Sequence, residues 1–132
     1  MREILLRGKE IKTGEWVQGS LVIRKDESPV PETNELYRQY FIVTEGFATH
    51  EYEVIPATVG QFTGLLDKNG AKIFEGDIIR VRGCNHEIRY VNCAFVFTNT
   101  DLILNEGLLM NNPMEVIGNI HDNPELLEAN DA

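Results

Sequence analysis

Between Gly60 and Ile79 the chain reads Gly-Gln-Phe-Thr-Gly-Leu-Leu-Asp-Lys-Asn-Gly-Ala-Lys-Ile-Phe-Glu-Gly-Asp-Ile-Ile, two turn signals set among strand formers. Asn69-Gly70 can supply the positive φ of a type I′ or G1-bulge turn, because glycine and asparagine enter the left-handed region at low steric cost. Glu75-Gly76-Asp77 can then reverse the chain again, and Ile78-Ile79-Arg80-Val81 reads as a strand leaving that reversal. Reversals this close together predict antiparallel β structure and specify shape more firmly than any activity.

A chain of 132 residues is close to the usual size of one domain and can bury a core without disulfides or a metal, so a single domain over 1–132 is expected. Its hydrophobic fraction of 42% and charged fraction of 25% are ordinary for a globular protein. No apolar run approaches the roughly 20 residues that cross a bilayer, and the apolar stretch in Met1–Arg7 is far shorter than a secretory segment. Two cysteines, Cys84 and Cys93, make no disulfide framework and accord with a reducing compartment. The expectation is a cytoplasmic protein with no membrane partner. The 12 basic residues against 21 acidic ones give a net charge of −9, which disfavours nonspecific attraction to phosphate backbones and serves solubility. Part of that excess is local, since Asn123–Asp131 contains acids and no base.

Strand signals recur along the chain. Ile4-Leu5-Leu6, then Glu15–Ile23 beyond Thr13-Gly14, outline a first hairpin. Lys25–Asn34, polar and with two prolines, reads as a flexible loop. Leu36–Val43 and Tyr52–Ile55 follow as strands around Gly46. Ile78–Arg82 and His86–Val91 flank Gly83-Cys84-Asn85 as another hairpin, with Ala94–Phe97 and Glu115–Ile120 as later strands. Asn99–Asn112 fits a short helix or irregular packing equally well, and Pro124 suits the first position of a short C-terminal helix. The whole predicts a mainly β protein, a small barrel or sandwich, with Gly64–Val81 resembling the two-strand core of an SH3-like barrel.

Three blocks in order carry a family resemblance. They are Arg7-Gly8-Lys9 with Gly14-Glu15-Trp16-Val17; Val59–Leu65 with Asp67-Lys68-Asn69-Gly70 and Ile73–Ile78; and Val116–Leu127. In combination they resemble the YopX family from end to end. The resemblance implies a largely β protein carried by phages, prophages and related bacterial mobile elements, with no assigned biochemical activity. Lys25–Thr49 and Cys84–Met114 carry no matching motif.

Chemistry is sparse. Ser20 and Ser28 are the only serines and neither sits in a nucleophile elbow. Cys93 with His86 or His50 could pair as nucleophile and base, but a cysteine preceding an apolar strand reads first as a small buried residue. Cys84-x-His86 and Cys93, with His50 or His121, offer four zinc donors but only one close pair, which is poor spacing for a structural site. Asp67-x-Asn69-Gly70 lacks the flanking helices and glycine position of a calcium loop. No catalytic, cofactor or metal site is therefore assigned; Asn69, Gly70, Gly76 and Asp77 are read as structural turn residues. Strand alternation would place Arg80 and Arg82 on one face, and a hairpin would bring Arg89 there, a candidate phosphate grip set against a solvated face in which Glu87 pairs with Arg82. Trp16, Tyr37, Tyr40, Phe41 and Phe62 read as core or strand-face residues. Open strand edges make a homo-oligomer plausible. The expectation is a noncatalytic protein-interaction or assembly module with an unidentified protein partner; the alternative is a nucleic-acid-binding accessory protein using Arg80, Arg82 and Arg89.

Overall fold

The computed structural model describes residues 2–29, 36–100 and 102–130. They fall into two compact units, Ile4–Gln61, and Phe62–Ala132 together with Met1–Glu3. Every strand pairing is antiparallel.

The Ile4–Gln61 unit is a meander. Strand β1 (Leu6–Lys9) pairs with β2 (Trp16–Pro29), β2 with β3 (Leu36–Thr44), and β3 with β4 (His50–Val54). On its other side β1 takes the first two residues of β5 (Gly60–Leu66). The meander curls: Glu10 bridges Val54, the Ile11 amide donates to the Glu53 carbonyl at 3.0 Å, and the Ile55 amide donates to the Lys9 carbonyl at 2.9 Å. That closeness needs Gly8, where an added Cβ would stand 2.9 Å from the Val54 Cβ. Ile42 and Val54 are fully buried. The Arg7 guanidinium stacks 4.7 Å over Trp16 and Arg24 stacks 4.6 Å over Phe41, so both aromatics lie on strand faces shielded by long side chains. Of the loop expected over 25–34, Lys25–Pro29 belong instead to β2, which continues to Pro29 across a register shift; 30–34 lie outside the described residues.

In the second unit β5 continues from Phe62 and pairs with β6 (Lys72–Phe74). A separate sheet follows in the order β10-β7-β8-β9, from β7 (Asp77–Val81), β8 (Cys84–Val91), β9 (Ala94–Phe97) and β10 (Met114–Asn119). A six-residue helix, α1 (Glu106–Asn111), and a 3-10 helix over Pro124–Asn130 complete the unit. The C-terminal helix expected from Pro124 is thus of the tighter 3-10 kind, and the ambiguous Asn99–Asn112 stretch holds one short helix within irregular chain. Each sheet has open ends among the described residues, so the pairings form no closed barrel.

Two-residue loops close both hairpins of the second sheet. Val81 pairs with Cys84 across Arg82-Gly83, at φ 51° and 78°, and Val91 pairs with Ala94 across Asn92-Cys93, at φ 51° and 65°. Positive φ at both loop residues is the type I′ geometry that matches strand twist. The turn expected at Gly83-Cys84-Asn85 therefore sits earlier, and Arg82 belongs to the turn rather than to the strand.

One face of this sheet is the core of the unit. Ile79 and Ile88 are fully buried, and with Phe97 and Met114 they meet Ile73 of β6 and Leu104 of the chain after β9. That chain folds back at Asn99 (φ 63°), so that Ile103 bridges Val96 and the Leu104 amide reaches the Phe95 carbonyl at 2.9 Å. Asn105 then caps α1, its side-chain oxygen accepting from the Leu108 amide at 2.9 Å.

Candidate ligand cleft

The turns named from the sequence build this core by specific bonds. Gly70 takes φ 84° and donates its amide to the Asp67 carbonyl at 3.0 Å, which is the G1-bulge alternative, since Asn69 keeps an ordinary φ. Asp67 organises the loop. Its Oδ1 accepts from the amides of Asn69 (2.8 Å) and Ala71 (2.9 Å), and its Oδ2 accepts from Val116 (2.9 Å). Burial alone would push the Asp67 carboxyl up, but the three amides and the nearby Lys68 charge outweigh it and hold the group below its ordinary value. Gly76 (φ 90°) reverses the chain at Glu75-Gly76, and the buried Asp77 carboxylate accepts from the Phe74 amide at 2.7 Å. Val116 pairs with Ile79 and Gly118 with Ile78, so Ile117 is the extra residue of a bulge beside the Asp67 clamp.

Above the inner face of the sheet a cleft of about 390 Å3 opens toward the 98–112 stretch. Its walls are apolar, chiefly Val81, Phe97, Leu102, Leu108 and Met114. Arg82, Cys84, His86, Thr100 and Asn112 add polar atoms. Arg82 comes from the β7–β8 turn; Cys84 and His86 are two residues apart on β8 and so share a face. The His86 Nδ1 lies 2.9 Å from the Thr98 carbonyl oxygen, which can only accept. In the neutral ring Nδ1 therefore carries the proton and Nε2 is an acceptor. The ring meets Phe97 edge-on at 6.1 Å between centroids. Asn112 is 8% exposed; its Nδ2 donates to the Leu108 carbonyl at 3.1 Å, and its Oδ1 accepts from no described residue. A second cleft of about 410 Å3, lined by Leu66, Glu106 and Met110 among others, also borders α1.

The cleft joins three residues singled out from the sequence for different reasons, Arg82, Cys84 and His86. Cys93 is elsewhere, in the β8–β9 turn. It is exposed, not the buried core residue expected, because a two-residue loop places it outside the strand that follows. His50 starts β4 in the other unit, and His121 lies in the turn after β10. Among the described residues no three His, Cys, Asp or Glu side chains form a group able to hold a metal.

The three arginines do not share a face. Arg80 is exposed opposite Asn85, and Arg89 lies four residues farther along β8 on that same outer face, about 13 Å at strand rise. Arg82 is drawn off that face by the turn. Glu87, 6% exposed, pairs with Arg89 at 3.0 Å and not with Arg82, and this hydrogen bond and charge raise the Arg89 guanidinium further above its ordinary value. Asp67 carried no advance signal of its bond to Val116, which is remote in sequence, and Asn112 none of its place in the cleft wall.

The model of the YopX protein family matches residues 6–128. The chain belongs to the YopX family. Among solved structures it is similar to the crystal structure of protein EF1440 from Enterococcus faecalis, with 25% identity, a TM-score of 0.60, and coverage of 96% of this chain and 99% of that one. No curated protein matches. The last YopX block explains itself physically: the Asn119 Oδ1 accepts from the His121 and Asp122 amides at 3.0 and 2.9 Å. The Asn123 Oδ1 accepts from the Asn119 amide at 3.3 Å, and Asn85 donates its side-chain amide to the Leu126 carbonyl at 2.9 Å. These are fold-forming bonds, whereas the cleft is lined mainly by residues of Cys84–Met114.

Proposed function

We propose that this YopX-family chain is a noncatalytic protein-interaction or assembly module of a bacterial mobile element. The observation that supports it is the pair of largely apolar clefts bordering α1, the first lined by Leu102 and the second by Met110, which are 51% and 82% exposed. Large apolar side chains grouped at a recess are a contact surface more often than a solvated one. Action in the bacterial cytoplasm and association with further copies of itself belong to the same proposal. So does the kinship of Gly64–Val81 with a small SH3-like barrel, supported by the β5–β6 hairpin and the tight reversal into β7. The scattering of Arg80, Arg82 and Arg89, with Arg89 held by Glu87, weighs against a phosphate grip.

A photo-crosslinking residue at Met110, with one at exposed Lys25 as control, tests the reading in the host bacterium. A discrete protein adduct at position 110 alone is the expected result. The reading fails if neither position gives one, or if the purified chain instead forms a salt-sensitive complex with DNA or RNA that is lost when Arg80, Arg82 and Arg89 become alanine.

A further inference from the structure

We propose that the cleft receives the carboxyl-terminal residue of a partner polypeptide, its apolar side chain entering the recess and its terminal carboxylate meeting Arg82. The inference rests on the protein-contact reading above and names the chemistry of the contact. Among the described residues lining the cleft, Arg82 alone carries a formal charge, and it is a cation in a chain of net charge −9. It stands at φ 51° in a two-residue turn, a position that Asn or Gly would occupy at lower steric cost. An exposed arginine bordering an apolar recess is complementary to a carboxylate, which its guanidinium can grip with two parallel hydrogen bonds.

The remaining polar atoms separate a peptide from a simple fatty acid. Asn112 is more than nine-tenths buried at the cleft wall with an unfilled Oδ1, and His86 adds an acceptor at Nε2 once Nδ1 is engaged by Thr98. An alkyl chain would cover these acceptors and give them nothing, leaving buried polar atoms unsatisfied. A peptide backbone brings N–H donors beside its side chain. The volume of about 390 Å3 suits a single large side chain and its adjoining backbone, near the lower end of the roughly 300–1,000 Å3 of ligand pockets.

The test titrates the purified full chain, 15N-labelled, with a Gly-Ser hexapeptide ending in leucine with a free carboxylate. The comparisons are the same peptide amidated, the same peptide ending in alanine, and dodecanoate. The expected result is binding of the leucine acid about tenfold or more tighter than either altered peptide, about 1.4 kcal/mol, with amide shifts at Val81, His86 and Asn112. Arg82→Asn, which tolerates the turn, should bring the acid to the level of the amide; Arg80→Gln, on the outer face, should change nothing. Equal binding of acid and amide, shifts confined to other residues, no peptide binding, or dodecanoate alone occupying the cleft would each overturn the proposal. An adduct at Met110 with a failed peptide series removes this inference and leaves the contact reading standing, whereas peptide binding without any adduct counts against the contact reading alone.

Discussion

Removing the Asp67 carboxylate should loosen the second unit at the point where the β5–β6 loop clamps β10. Three backbone amides lose their acceptor in Asp67→Ala: Asn69, Ala71 and Val116. The Val116 amide is half-buried within the sheet and costs about 1–3 kcal/mol when left without a partner. Asn69 and Ala71 lie in an exposed loop where water can replace the carboxylate, so each adds about 0.5–1 kcal/mol. The expected loss is about 2–5 kcal/mol, read by urea unfolding followed by circular dichroism, with faster hydrogen exchange at Val116 as the local signature. The pH dependence gives a second constraint. Because the folded carboxyl is held below its unfolded value of about 4, its contribution is complete above that unfolded value and is lost as pH falls through the lower folded one. The gap between wild type and Asp67→Ala should therefore be flat near neutrality and close in acid. A gap below about 0.5 kcal/mol, or one unaffected between pH 7 and 3, would refute the clamp.

Gly70→Ala, with open space around its Cβ but φ 84°, should cost about 1 kcal/mol of conformational strain by the same unfolding assay. Gly8→Ala should cost more, about 1–3 kcal/mol, since its Cβ would press on Val54 at 2.9 Å. Ile88→Ala, fully buried in the second unit, should lose about 2–5 kcal/mol. Ellman's reagent should titrate both Cys84 and Cys93 in the native chain without denaturant, and a single accessible thiol would contradict their exposure.

What was legible in the sequence was local. Gly70 and Gly76 marked reversals because their left-handed φ is a property of the residue itself, and apolar runs such as Ala94–Phe97 marked strands. The turn of the β7–β8 hairpin was misplaced because Arg82 adopts a positive φ that its side chain does not advertise and that sheet pairing enforces, whereas the Asn92-Cys93 connection falls where the strand signals left it. Continuation of β2 to Pro29 was hidden for a similar reason, since pairing with β3 overrides the turn propensity of Ser28-Pro29. The cleft was least legible. Asn112, His86 and Arg82 come together only after β7–β8 and the chain around α1 are folded, and nothing in their spacing announces it.

The account depends most on the register of β7, β8 and β10, which sets Arg82 in the turn and His86 on the inner face. Cross-strand contacts by solution NMR test it directly. The structure predicts Ile79 opposite His86 on one side and opposite Val116 on the other, with Val81 facing Cys84. Contacts placing Arg82 in a strand opposite Asn85 or His86, with the turn at Gly83-Cys84, would take Arg82 away from the cleft and contradict the account.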